Sequence, residues 1–143
     1  MQYPVEATLV EAAGGRIALA GYDLSAERVR PGGSFELTLF WRGVQPVGRD
    51  YTVFTHVLDG DGRVRAQADR PPLAGARPTS RWEPGEMVRD RFVLTLDPSS
   101  PPGPYTIEVG LYDPATGDRV PVRDRNGADV PERRILAGAL KVK

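Results

Sequence analysis

The sequence predicts an all-β fold: an antiparallel β-sandwich of seven to nine strands, built as one domain over residues 1–143. Three observations predict it. Short apolar stretches alternate at period two, the signature of strands with one buried face. Sixteen glycines and fourteen prolines lie between those stretches rather than in one tract, which marks many turns and not disorder. No stretch of ten residues has a 3.6-residue apolar period free of Gly or Pro, so no helix is expected. Strands of this kind must bury their apolar faces against a second sheet.

"EATLVEA" and "RIALAGYDL" open the set. In "SFELTLFWR", Phe35, Leu37, Leu39 and Trp41 share one face and Glu36, Thr38 and Arg42 the other, which makes a half-buried strand with Trp41 in the core. "YTVFTHVLD" is apolar on both faces, as a central strand should be, and runs through "GDG" into the more polar "RVRAQAD". That pair reads as a hairpin whose second arm lies nearer an edge. In "MVRDRFVLTL", Phe92, Leu94 and Leu96 alternate with Arg91, Val93 and Thr95. "PPGPYTIEVGLYD" sets Tyr105, Ile107, Val109 and Leu111 on one face, and "DPATGDR" turns the chain back into "RVPVR" with Gly117 suited to a left-handed position. "ILAGALKVK" closes the set. The "PxGxY" element at Pro101 to Tyr105 matches the tyrosine corner of immunoglobulin-like sandwiches, in which the hydroxyl folds back on the preceding corner. The alternative is that Tyr105 is only the first inward residue of its strand.

Nineteen basic residues balance nineteen acidic ones, so no whole-chain field favours a polyanion or an anionic bilayer, and nucleic acid is a poor partner. The apolar run Ile135 to Leu140 is far shorter than the roughly 20 residues of a spanning helix, so no direct membrane insertion is expected. The start "MQYPVEATLVEAAGG" lacks a basic segment and a continuous apolar stretch and does not read as a signal peptide. Absence of cysteine excludes disulfides, thiolate zinc sites and cysteine nucleophiles. Neither a P-loop nor a dinucleotide fingerprint occurs, and no motif asks for a cofactor. Proline and arginine enrichment without cysteine suits a thermophile.

The stretches "LAGYDL", "PGGSFELTLFWRG", "DYTVFTHVLDGDGRV", "PTSRWEPGEMVRD" and "PPGPYTIEVGLYDPATGDRVPV" together resemble the extracytoplasmic immunoglobulin-like domain at the C-terminal end of bacterial membrane proteins of the protein-mannosyltransferase-like glycosyltransferase superfamily. The resemblance covers about residues 16–123. It implies an accessory, non-catalytic domain on the extracytoplasmic face, part of a larger protein whose membrane domain would be its partner and would hold the chemistry. Its role would be to position an acceptor glycan or protein. The rival readings are a free-standing carbohydrate-binding module and a structural or oligomerising sandwich.

His56 is the only histidine, lies mid-strand and has no "GxSxG" elbow to serve, which favours a structural role over catalysis. "DGDG" at Asp59 to Gly62 opens like a calcium loop, yet Arg63 and Arg70 stand where oxygen ligands belong, so a hairpin turn is expected and no metal site. Asp69, Glu83, Glu86 and Asp90 flank the Trp82 loop; two of them at a suitable separation would serve as a glycosidase acid and base, but Arg70, Arg77, Arg81, Arg89 and Arg91 make surface ion pairs the better reading. The tentative ligand site is the loop "RPPLAGARPTSRWEPG", where Trp82 with Arg81, Glu83, Asp69 and Arg70 would stack on and hydrogen-bond a sugar. The competing reading makes Trp82 a plug at one end of the sandwich, with Pro71, Pro72, Pro78 and Pro84 guarding its edge.

Overall fold

A computed structural model describes residues 1–143. Its strands are β1 (Tyr3–Val10), β2 (Arg16–Leu24), β3 (Arg28–Val29), β4 (Ser34–Gln45), β5 (Thr52–Leu58), β6 (Val64–Gln67), β7 (Met87–Thr95), β8 (Gly103–Tyr112), β9 (Val122–Arg123) and β10 (Ile135–Val142). They form two five-stranded sheets, β7-β4-β2-β1-β9 and β3-β10-β8-β5-β6, with 3-10 turns at Pro72–Gly75, Thr79–Arg81 and Pro131–Arg133 as the helical elements. The chain is therefore the immunoglobulin-like sandwich that its alternation predicts.

Two details differ from the sequence expectation. Strand number exceeds it by the two-residue β3, too short to alternate. β3 also runs parallel to β10, pairing Arg28 with Lys141 and Val29 with Val142, whereas the other pairings are antiparallel. The reason is a sheet crossing: after β2 the chain leaves the first sheet, adds β3 to the edge of the second, and returns as β4.

The register explains the core. Phe35, Leu37, Leu39 and Trp41 of β4 stand opposite Leu94, Phe92, Asp90 and Val88 of β7, and those apolar side chains are buried against Tyr105, Ile107, Val109 and Leu111 from β8. Strand β6, the polar arm of the hairpin, lies at the sheet edge as its composition predicts. In the hairpin turn the Asp59 carboxylate accepts hydrogen bonds from the Asp61 and Arg63 amides at 2.8 and 3.0 Å and from Arg65 Nε at 2.8 Å, while Gly62 takes φ +79°. Tyr105 donates its hydroxyl hydrogen to the Pro101 carbonyl at 2.5 Å, which is the tyrosine corner.

The proline-rich loop is fastened rather than free. Thr79 Oγ1 donates to the Arg49 carbonyl and accepts from the Tyr51 amide, and Ser80 N–H reaches Asp50. At the far end, Gly43 and the 83–86 turn are joined by Gly43 N–H to Glu86 O at 2.9 Å and Gly85 N–H to Gly43 O at 2.8 Å. A side chain at position 43 would run into the Glu83 carbonyl, so glycine is what lets this turn close on β4.

Candidate functional site

Trp82 sits inside this fastened loop. It is 3% exposed, its ring centroid lies 6.4 Å from that of Trp41, and its Nε1–H donates to the Arg77 carbonyl at 2.9 Å. Neither face of the indole is presented to a sugar. The tentative ligand site built on Trp82 is corrected accordingly: the loop is long because it wraps a buried ring, and self-packing is one of the two ways a long loop is stabilised.

The other residues of that site are divided among separate surfaces. Arg81 and Glu83 are exposed on the loop, where their backbone groups accept from Arg77 and exchange bonds with Glu86. Arg70 turns to the edge of the first sheet, while its neighbour Asp69 turns to the outer face of the second. Consecutive residues of an extended chain point to opposite sides, so Asp69 and Arg70 do not share a ligand.

Ion pairs among the flanking charges follow the expected pattern only in part. Glu86 is held by Arg77 through two hydrogen bonds, and Arg91 lies 3.4 Å from Glu36 at the surface. Asp90 is different: it is 1% exposed, and accepts from Arg70 at 2.9 and 3.1 Å and from the Leu73 amide at 3.1 Å. The carboxylate is buried while its Arg70 partner stays half-buried, so this is not a surface pair. Asp90 stands in phase with Val88, Phe92 and Leu94, a signal the sequence already contained.

Another cluster of polar and aromatic side chains forms on the outer face of the second sheet. Register sets His56 and Phe54 of β5 opposite Glu108 and Gly110 of β8. Gly110 is required here, because a Cβ at that position would lie 2.5 Å from the Phe54 ring, which crosses the neighbouring strand. The loop after β8 returns through Gly117, φ +80°, and brings the Arg119 guanidinium to 4.2 Å from the Phe54 ring centroid. Phe54 is thereby covered although it faces away from the core, which accounts for the apolar character of β5 on both sides.

Glu108 lies beneath this lid, 4% exposed, and accepts from His56 Nδ1 at 2.9 Å, Arg119 at 2.9 Å and Arg134 at 3.0 Å. Burial opposes its ionisation, but the hydrogen bonds from Arg134, His56 and Arg119 outweigh burial and hold its carboxyl below the ordinary glutamate value. On the other side His56 Nε2 is 3.2 Å from an Asp69 oxygen. The ring thus stands between two carboxylates, of which a neutral imidazole can donate to only one. Its position is architectural in the sense expected, though with polar partners that sequence reasoning did not assign.

Between these groups is an open cleft of about 160 Å³ lined by Phe54, His56, Asp69, Tyr112, Gly117 and Arg119. A wider cleft of about 400 Å³ shares Arg119 and includes Glu11, Arg49, Tyr51 and Asp113. There Arg49 pairs with Asp113 at 2.8 Å and Tyr51 donates to Glu11; burial first, then that carboxylate, pushes the Tyr51 phenol well above its usual range. No signal in one sequence joins positions 54, 69 and 119, because the joining is done by the loop after β8.

No family model matches the chain, and no curated protein matches it. Among solved structures it is similar to the CARDB domain of a Pyrococcus furiosus protein in complex with di-metal ions, at 13% identity and a TM-score of 0.43, covering 85% of this chain and 94% of that one. A β-glucosidase from Listeria innocua in complex with glucose gives 13% identity and a TM-score of 0.43 over 87% of this chain, which spans 16% of the glucosidase. The putative ApaA protein of Bordetella pertussis gives 14% identity and a TM-score of 0.35, covering 97% of this chain and 94% of that one. Likenesses at this level carry nothing about ligand or activity.

Proposed function

We propose that this chain is a non-catalytic accessory β-sandwich module of a membrane-bound, glycosyltransferase-like protein, placed on the extracytoplasmic face, where it holds an acceptor glycan or protein near the membrane-embedded chemistry. One observation carries the reading: the residues that bear the family resemblance serve the architecture. Trp41 and Trp82 pack together, Gly43 admits the turn at residues 83–86, Asp59 folds the hairpin, and Tyr105 makes the corner. A pattern of motifs devoted to packing and turns suits a rigid module better than a catalyst.

The mechanism is positional. A rigid domain tethered to the enzyme raises the effective concentration of whatever it holds, and this needs no reacting group of its own. No helix of the chain is long and apolar enough to cross a membrane; in this proposal the membrane part belongs to the parent. Deleting the domain, residues 1–143, from the full-length parent should lower transfer to large acceptors while transfer to small soluble acceptors stays unchanged. Unaltered turnover and acceptor preference would overturn the proposal. Assays of the isolated chain on chromogenic glycosides and esters test its non-catalytic status, which reproducible turnover would overturn.

A further inference from the structure

We propose that the cleft on the outer face of the second sheet binds one uncharged sugar ring, held by Tyr112, Asp69 and Arg119. This rests on the acceptor-holding reading and narrows it, by making a glycan rather than a protein the thing held.

Size is the first argument. Pockets for drug-sized ligands run to roughly 300–1,000 Å³. A cleft of about 160 Å³ suits a single ring, and its open mouth lets a chain continue outward. The neighbouring cleft of about 400 Å³, which shares Arg119, offers room for further rings.

Hydrogen-bonding capacity is the second. The Asp69 carboxylate is met by the Thr55 amide at the long distance of 3.4 Å and by His56 at 3.2 Å, leaving acceptor positions for hydroxyl groups. Arg119 donates to Glu108 and to the Glu132 carbonyl, and a guanidinium has N–H groups beyond those two. Tyr112, half-buried at the end of β8 with its ring 6.4 Å from Phe54, supplies an apolar surface for the C–H face of a ring. An acceptor, a forked donor and an aromatic ring around a single-ring space are what a polyol requires and what an apolar ligand would waste.

Charge decides that the ligand is neutral. The two carboxylates, Asp69 and Glu108, are balanced by the two guanidiniums, Arg119 and Arg134, both of which bond Glu108. No net field remains to draw an anion, in contrast to the cleft at the first sheet's edge, where Arg89 and Arg91 stand beside the Arg70 and Asp90 pair. The groups are also preorganised: Arg119 is clamped between the Phe54 ring and Glu108, so little side-chain freedom is lost on binding.

The test is amide-resolved NMR of the isotopically labelled chain, titrated separately with the methyl glycosides of glucose, galactose, mannose and N-acetylglucosamine into the tens of millimolar. At least one should give saturable shifts centred on residues 54–56, 69 and 112–119. Asp69→Asn, which keeps the shape, and Tyr112→Ala should each weaken that binding by about tenfold or more. Absence of saturation with all four probes, shifts centred elsewhere, or binding unchanged in Asp69→Asn would overturn the proposal. Should Tyr112→Ala fail to fold, Asp69→Asn alone decides. A chain that binds no sugar leaves the accessory reading to the parent deletion, and a chain that binds sugar while that deletion has no effect is a carbohydrate-binding module without the positioning role.

Discussion

Arg70 and Asp90 meet at the inward edge of β7, joined by hydrogen bonds of 2.9 and 3.1 Å, with the guanidinium also 4.1 Å from the Phe92 ring centroid. The pair stitches the end of the β6 arm in one sheet to the edge strand of the other. Its Asp90 end lies where an apolar residue would ordinarily complete the inward row of β7.

Removing Arg70 leaves the buried Asp90 carboxylate without its counterpart, which costs about 3 to 5 kcal/mol, whereas replacing both with apolar side chains is far milder. Arg70→Met should therefore destabilise the fold by about 3 kcal/mol or more, and Arg70→Met with Asp90→Leu should recover most of the loss. Urea unfolding of the two single variants and the double variant checks this. Equal losses in the single and double variants would show that the pair is not coupled.

Trp82→Ala should cost about 3 to 5 kcal/mol, because a buried indole is removed from between Trp41 and the loop backbone. The same substitution should leave any sugar binding at the outer-face cleft unaltered, once measured below the variant's unfolding temperature. Calorimetry and the NMR titration together separate a core role from a binding role.

Glu86 titrates at about 2, from an ordinary value of 4.5, because the Arg77 guanidinium and then the local backbone turn hold its charge. Since the folded value is the lower one, its contribution to stability is complete above about pH 4.5 and is lost as pH falls toward 2. Arg77→Ala should return the carboxyl toward 4.5 and flatten the stability profile across that window, as carbon-detected NMR titration would show.

Gly110→Ala should cost about 1 to 3 kcal/mol, since the added methyl displaces the Phe54 ring and with it the Arg119 clamp. Chemical shifts of the Arg119 guanidinium should move more than those of Tyr105 or Trp82. A variant of unchanged stability, with unmoved Arg119 signals, would mean the ring does not lie across β8.

Period-two alternation was enough to place nearly every long strand, because burial of one face is written residue by residue: Phe35, Leu37, Leu39 and Trp41 faced inward as their spacing required. Pro101 to Tyr105 announced the corner for the same local reason. The short β3 escaped, since it has two residues and its pairing is set by β10, over a hundred positions away.

The candidate site was beyond the sequence for a physical reason of the same kind. Trp82 has the composition of a binding loop, and only the closure of that loop on Gly43 and Arg49 turned its ring inward. Asp69 and Arg70 are adjacent in the chain but lie on different surfaces, while Phe54, Asp69 and Arg119 are distant in the chain and line one cleft. Alternation is a local property that a linear string records, so the sequence determined the sandwich. Convergence of side chains from β5, the β6 arm and the loop after β8 depends on register and loop closure across the sheet, and that was decided only in three dimensions.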